Sequence, residues 1–125
     1  MIKDELFKKV LLAPTNEGAN KLYIVSGYAT AAMAFHHLNY LREEKKNIDI
    51  ALLIGMCPSD GMSLSNHRAF RQLVEADYHE KFQCSYVMKP PAVHSKIYAW
   101  YKDEEPLYAY TGSANYTQTA FLKAQ

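Results

Sequence analysis

Several means by which small chains hold themselves together or find a partner are scarce in these 125 residues. There are two cysteines, Cys57 and Cys84, far apart and in no C-x-x-C arrangement. That excludes a disulfide framework and points to reduced thiols. The five histidines (36, 37, 67, 79 and 94) stand at no ligand spacing from either cysteine, so a zinc site is not expected. An excess of one charge is also missing. Fourteen Lys and Arg stand against 13 Asp and Glu, a net charge of +1. Nothing global draws the chain to nucleic acid or to a membrane, so any polyanion must be met by a local patch. No apolar run is long enough to span a bilayer, and Asp4 and Glu5 sit where a signal peptide would carry none. The expectation is a soluble cytoplasmic protein with no membrane partner. Repeats and low-complexity segments are absent.

What is present is apolar and aromatic. The chain is 49% hydrophobic and holds ten tyrosines, enough for a real core in one domain spanning residues 1–125. Residues 2–12 read as a short amphipathic helix before Pro14, and 15–20 as a loop. Residues 22–28 (LYIVSGY) and 48–56 (IDIALLIGM) read as buried strands. Between them Thr30 caps a helix over 31–46, with Ala34, Leu38 and Leu41 on one face. Ser65 is expected to cap a second helix over 66–78 that buries Phe70, Leu73 and Val74. Strands follow over 83–88 and, by alternation, 93–101. A turn at 103–106 sends 107–111 back as a hairpin, and Thr117 starts a last helix. The fold class is therefore α/β: a mixed β-sheet with helices on both faces, because strands that are apolar without alternation fit burial on both sides.

The chemistry concentrates in residues 93–117, VHSKIYAWYKDEEPLYAYTGSANYT. On a strand, His94 and Lys96 point to the same face. After the hairpin, Gly112-Ser113-Ala114-Asn115 returns to the same end of the sheet with a hydroxyl and an amide. The helix behind it offers an N-terminus that attracts anions. Imidazole, ammonium, hydroxyl and amide together suit substitution at a phosphate.

The pattern His94-x-Lys96 followed by Gly112-Ser113-x-Asn115 resembles the H-x-K…G-S-x-N signature of the phospholipase D superfamily. More narrowly, GSANYTQTAF and the run Gly61 to Phe70 (G-M-x-x-S-x-x-H-R-x-F) resemble the NgoFVII-type restriction endonucleases, which join a phospholipase D-type nuclease domain to a separate DNA-recognition domain. The resemblance implies a phospholipase D-like α/β/α sandwich. It implies a metal-independent endonuclease in which His94 attacks phosphorus to form a phosphohistidine. Lys96 and Asn115 would hold the non-bridging oxygens, supported by Ser113, and no cofactor would be needed. Double-stranded DNA is the implied partner. One signature per chain implies a homodimer with a shared active site. Its two-fold axis would set His94 opposite the His94 of a second copy, roughly 4–8 Å apart given hydrogen-bond reach at both ends. Tyr101 stands seven residues after His94, where the family often has Asp. The acid that many members place some way beyond the Asn would fall near Gln125. A chain truncated at its C-terminus, without its recognition domain, is the expectation.

Other readings are blander. Tyr28, at the end of the first strand, is as well explained by packing as by a pocket wall. Gly112 and Arg68 are candidate substrate contacts, although a solvated face explains Arg68 equally. Of His36 and His37, mid-helix, one is expected to face solvent. His67 reads as a neighbour of a helix cap. Arg42, Lys45 and Lys46 complement a helix C-terminus. Two alternative functions use the same residues. One is a phosphatidyl transferase or phospholipase, disfavoured by the lack of an amphipathic membrane helix. The other is a non-catalytic DNA-binding or dimerisation module.

Overall fold

The computed structural model describes residues 4–122. The N-terminal segment is helical throughout but irregular: α1 (Asp4–Leu6) widens into a π turn (Phe7–Leu12) and tightens into a 3₁₀ turn (Ala13–Glu17). Then come β1 (Lys21–Ser26), α2 (Ala31–Glu43), β2 (Asp49–Ile54), the single turn α3 (Cys57–Asp60) and α4 (Leu64–Gln72), which continues as a π turn over Leu73–Asp77. The chain closes with β3 (Phe82–Tyr86), β4 (Ile97–Lys102), β5 (Glu105–Thr111) and the short α5 (Gln118–Phe121). Residues 2 and 3 of the expected first helix lie outside the described residues, as do 123–125 of the last.

The five strands form one mixed sheet in the order β3-β2-β1-β4-β5. β1, β2 and β3 run parallel, while β4 is antiparallel to both β1 and β5. The hairpin turns on two residues, Asp103 (φ 49°) and Glu104 (φ 71°). Both are left-handed, as the twist of a two-residue hairpin demands. Thr30 caps α2 by accepting from the Met33 N–H. The cap of α4 is Ser63, not Ser65: its hydroxyl accepts from Asn66 N–H, and Ser65 is already inside the helix. The helix starts early because exposed Leu64 is tolerated at its first position.

The expected burial on both sheet faces is not what these residues show. Leu22, Ile24, Ile50, Leu52, Ile54, Phe82, Tyr98 and Trp100 form the buried face. The N-terminal segment, α2, α4 and α5 pack on that side. Trp100 donates to the Val10 carbonyl, Phe121 packs on Tyr98, and Asn66 ties α4 to the start of α2. The crossovers β1-α2-β2 and β2-α4-β3 step the same way across the sheet, and right-handed crossovers then place both helices on one face. On the other face Val25, Ala51, Leu53, Ile97 and Ala99 are half-buried, and Tyr23 is 48% exposed. So the run 50–54 is apolar throughout yet alternates in burial. Among the described residues the sheet carries one helical layer.

Candidate active site

β1 and β2 are parallel, so their C-terminal ends open at one edge, where α/β sheets present ligands. Ser26 closes β1 and is fully buried. Its hydroxyl lies 2.5 Å from the Tyr28 carbonyl and 3.2 Å from Asn115 Oδ1, and it accepts the Tyr116 N–H at 3.0 Å. Two glycines follow the strand ends because the chain before β4 crosses there. A Cβ on Gly55 would stand 2.1 Å from the Val93 carbonyl oxygen. One on Gly27 would stand 3.6 Å from Asn115 Oδ1 and 3.7 Å from the same Val93 oxygen. Gly27 thus separates the residue before His94 from the tip of Asn115.

Asn115 arrives from the other side of the sheet. After β5 the loop 112–116 swings across the end of β4, where the Tyr98 hydroxyl donates to the Ala114 carbonyl at 2.6 Å. Burial holds that phenol well above its ordinary range. The loop then reaches β1, and Tyr116 bridges Ala29. Asn115 Oδ1 accepts from the Tyr28 N–H at 3.2 Å. A backbone N–H can only donate, so the amide oxygen must point inward. The two Nδ2 hydrogens are then turned away from β1, and no protein acceptor among the described residues takes them.

His94 and Lys96 do not sit on a strand, contrary to expectation. β4 begins at Ile97, opposite Val25. Continuing that register would set Lys96 against Ser26, the last residue of β1, and His94 against Tyr28, beyond it, but the ladder stops at the Val25–Ile97 pair, so residues 94–96 have no ladder partner. They are held instead from residue 93, whose N–H donates to the Gly55 carbonyl at 2.9 Å. His94 is exposed. Lys96 folds back so that Nζ donates to the His94 carbonyl at 2.9 Å, leaving two ammonium hydrogens for a ligand.

The remaining candidates are placed unequally. Tyr28 stands at the rim, its hydroxyl donating to Asp60 at 2.5 Å, and that carboxylate raises the phenol above its ordinary value. Beneath it a cleft of about 130 Å³ is lined by Gly27, Met56, Cys57, Met62 and Asn66, among others. Ser113 is exposed and lines a different depression, with Val10, Tyr98 and Phe121, so its hydroxyl is not brought into the Asn115 network. A Cβ on Gly112 would meet nothing within 4 Å. Arg68 is exposed on α4. The last helix adds no anion-binding terminus: α5 is four residues long, too short for a useful dipole. Among the described residues no group of three or more His, Cys, Asp or Glu could hold a metal ion. No helix there is long and apolar enough to cross a membrane.

Sequence reasoning placed Ser26-Gly27-Tyr28 at the ligand-presenting strand end but gave a role to Tyr28 alone, and it missed Gly55 and Asn66. Asn66 accepts from Ala31 N–H and donates to the Ala29 carbonyl, pinning the loop after β1. The glycines had a signal, each directly following an apolar strand. The contacts by which Ser26 reaches Asn115 and Asn66 reaches the start of α2 had none, since they span 89 and 35–37 residues.

Comparison with curated proteins finds no match. The family model described as the NgoFVII restriction endonuclease N-terminal PLD domain matches residues 4–125, nearly the whole chain. It spans the Gly55–Val93 crossing, the His94-x-Lys96 pair and the loop that carries Asn115 to β1, and on that evidence the chain belongs to the NgoFVII restriction endonuclease N-terminal PLD domain family.

Proposed function

We propose that this domain is the catalytic part of a restriction endonuclease that hydrolyses phosphodiester bonds of double-stranded DNA without a metal ion. The observation that carries the reading is the meeting of two segments over Gly27: Asn115, its amide oxygen fastened inward, and the Val93–Lys96 stretch, with an exposed imidazole and an ammonium that has spent one of its three hydrogens. Asn115 Nδ2 and Lys96 Nζ hold the non-bridging oxygens, and Lys96 supplies the positive charge that develops in demand at the transition state. Ser113 supports them through the backbone of its loop. His94 attacks phosphorus, and the P–O bond to the leaving strand breaks as that oxygen takes a proton. Water then displaces the imidazole from phosphorus and leaves a phosphomonoester.

One imidazole cannot stand on both sides of an in-line displacement. The proton donor is therefore His94 of a second copy, in an isologous homodimer that shares the site. A second helical layer over the Val25–Leu53–Ile97 face would complete the α/β/α sandwich of the family.

The test is cleavage of duplex DNA by the full-length protein in EDTA, with trapping of an acid-labile phosphoenzyme. Cleavage with His94→Ala inactive and still DNA-bound is the expected result. A strict magnesium requirement overturns the nucleophile assignment. A protein that is monomeric by light scattering at micromolar concentration and still cuts overturns the shared site.

A further inference from the structure

Beneath the mouth of the site lies an imidazole that the proposed reaction does not touch. His37 projects from α2 and is fully buried. Both its nitrogens are engaged: Nε2 is 2.8 Å from the Leu11 carbonyl oxygen, and Nδ1 is 2.7 Å from the Tyr116 phenolic oxygen. A carbonyl only accepts, so Nε2 carries the proton and donates it. Nδ1 is then a bare lone pair, and the Tyr116 hydroxyl donates to it. The partners thus fix the tautomer. Burial agrees on the charge, holding His37 down to about 4 and the Tyr116 phenol well above 10.

Tyr116 directly follows Asn115. Its N–H donates to Ser26 Oγ at 3.0 Å, and its carbonyl accepts from Thr30 N–H at 3.1 Å. Ser26 in turn reaches Asn115 Oδ1 at 3.2 Å. The loop that carries Asn115 has no strand ladder of its own; beyond β5 it has the single Ala29–Tyr116 bridge. An apolar pair in place of His37 and Tyr116 would bury as much area but would not specify one depth for the ring. A fully satisfied polar network does.

We propose that His37 and Tyr116 form a positioning relay that sets the amide plane of Asn115 from below, keeping its Nδ2 toward the phosphate. The relay runs from the N-terminal segment through α2 and the Asn115 loop to β1, and neither residue touches substrate. The proposal rests on the nuclease reading given above for its consequence in rate, but its geometry can be tested separately.

Tyr116→Phe keeps the ring and cuts the relay. In the full-length enzyme the cleavage rate constant should fall roughly 10- to 100-fold, the usual result of misplacing a reacting group by an ångström or less. DNA affinity should stay within about twofold. Tyr116→Phe combined with Asn115→Ala should be no slower than Asn115→Ala alone, because the relay acts through that amide. Multiplying effects would overturn the proposal and make Tyr116 merely structural. His37→Gln, which can donate to Leu11 and accept from Tyr116, should recover rate that His37→Leu loses; equal losses would overturn it too. Independently of activity, the side-chain amide NMR signals of Asn115, assigned by their loss in Asn115→Ala, should shift in Tyr116→Phe. Unmoved signals overturn the relay and leave the nuclease reading standing. A wild-type protein that never cuts DNA overturns the nuclease reading, and the amide signals then decide the relay alone.

Discussion

Asn115 and the residue just before His94 both reach the ends of β1 and β2, but the two segments are held by different means. Asn115 is fastened by side chains: Ser26, Tyr116 and His37, all fully buried, lie beneath it. His94 is exposed, and its segment is tied through the backbone, by the Val93–Gly55 hydrogen bond and the close crossing at Gly55. One half of the site is built before substrate arrives; the other is aimed by the main chain and leaves its imidazole free. In the reaction proposed above, that division suits a phosphate held still while the nucleophile moves toward phosphorus. It also means that damage to the two halves should look different: stability and rate together on the Asn115 side, rate alone on the His94 side.

The largest effect should come from the exposed half. His94→Ala is expected to lower cleavage by on the order of 10⁴-fold or more, with the thermal midpoint almost unmoved. Single-turnover cleavage beside a melting curve checks both, and a large loss of stability would break the contrast between the halves.

Next in size is the acid response of the locked half. His37 is held neutral with its pKa lowered to about 4 from an ordinary 6.5. Between those values the unfolded chain binds more protons than the folded one. Stability is therefore fully present above about pH 6.5 and falls as pH drops toward 4, by roughly 3 kcal/mol at most from this one group. Urea denaturation across that range should show the slope, and His37→Gln should flatten it. A slope unchanged by that substitution would mean that the ring is not the titrating group.

Gly55→Ala comes third. Its Cβ would collide with the Val93 backbone, a neighbour that cannot rotate aside, so roughly 1–3 kcal/mol of stability should be lost, along with the aim of His94. Gly27→Ala should cost less, because its nearest neighbour is the flexible Met56 side chain at 3.1 Å. The smallest effect is expected at Ser113. Its hydroxyl lies outside the Asn115 network, so Ser113→Ala should stay within about threefold of wild-type cleavage. A loss as large as that of Asn115→Ala would place the hydroxyl on the phosphate after all.

The sequence by itself determined the local order of this protein. Thr30 as a cap, the Ala34–Leu38–Leu41 face, the Asp103–Glu104 reversal and the α/β class are all written in short-range pattern, where side-chain period and turn chemistry act over a few residues. The spacing of His94, Lys96 and Asn115 was equally legible, and it named the family that the whole-chain comparison shows. Tertiary structure decided the rest. IDIALLIGM reads as buried on both faces, but apolarity does not reveal which face a crossover helix will cover, and both crossovers covered the same one. His94 and Lys96 alternate as a strand should, but a strand needs a partner, and the ladder with β1 stops at Val25–Ile97, with β1 ending at Ser26 before the Tyr28 position that would face His94. The tautomer of His37 and the direction of the Asn115 amide depend on groups 26 to 89 residues away in sequence. Hydrogen bonds of that kind are fixed only when the sheet brings its strand ends together, which is why residue types could be proposed for the site from the chain and the orientation of His37 and Asn115 could not.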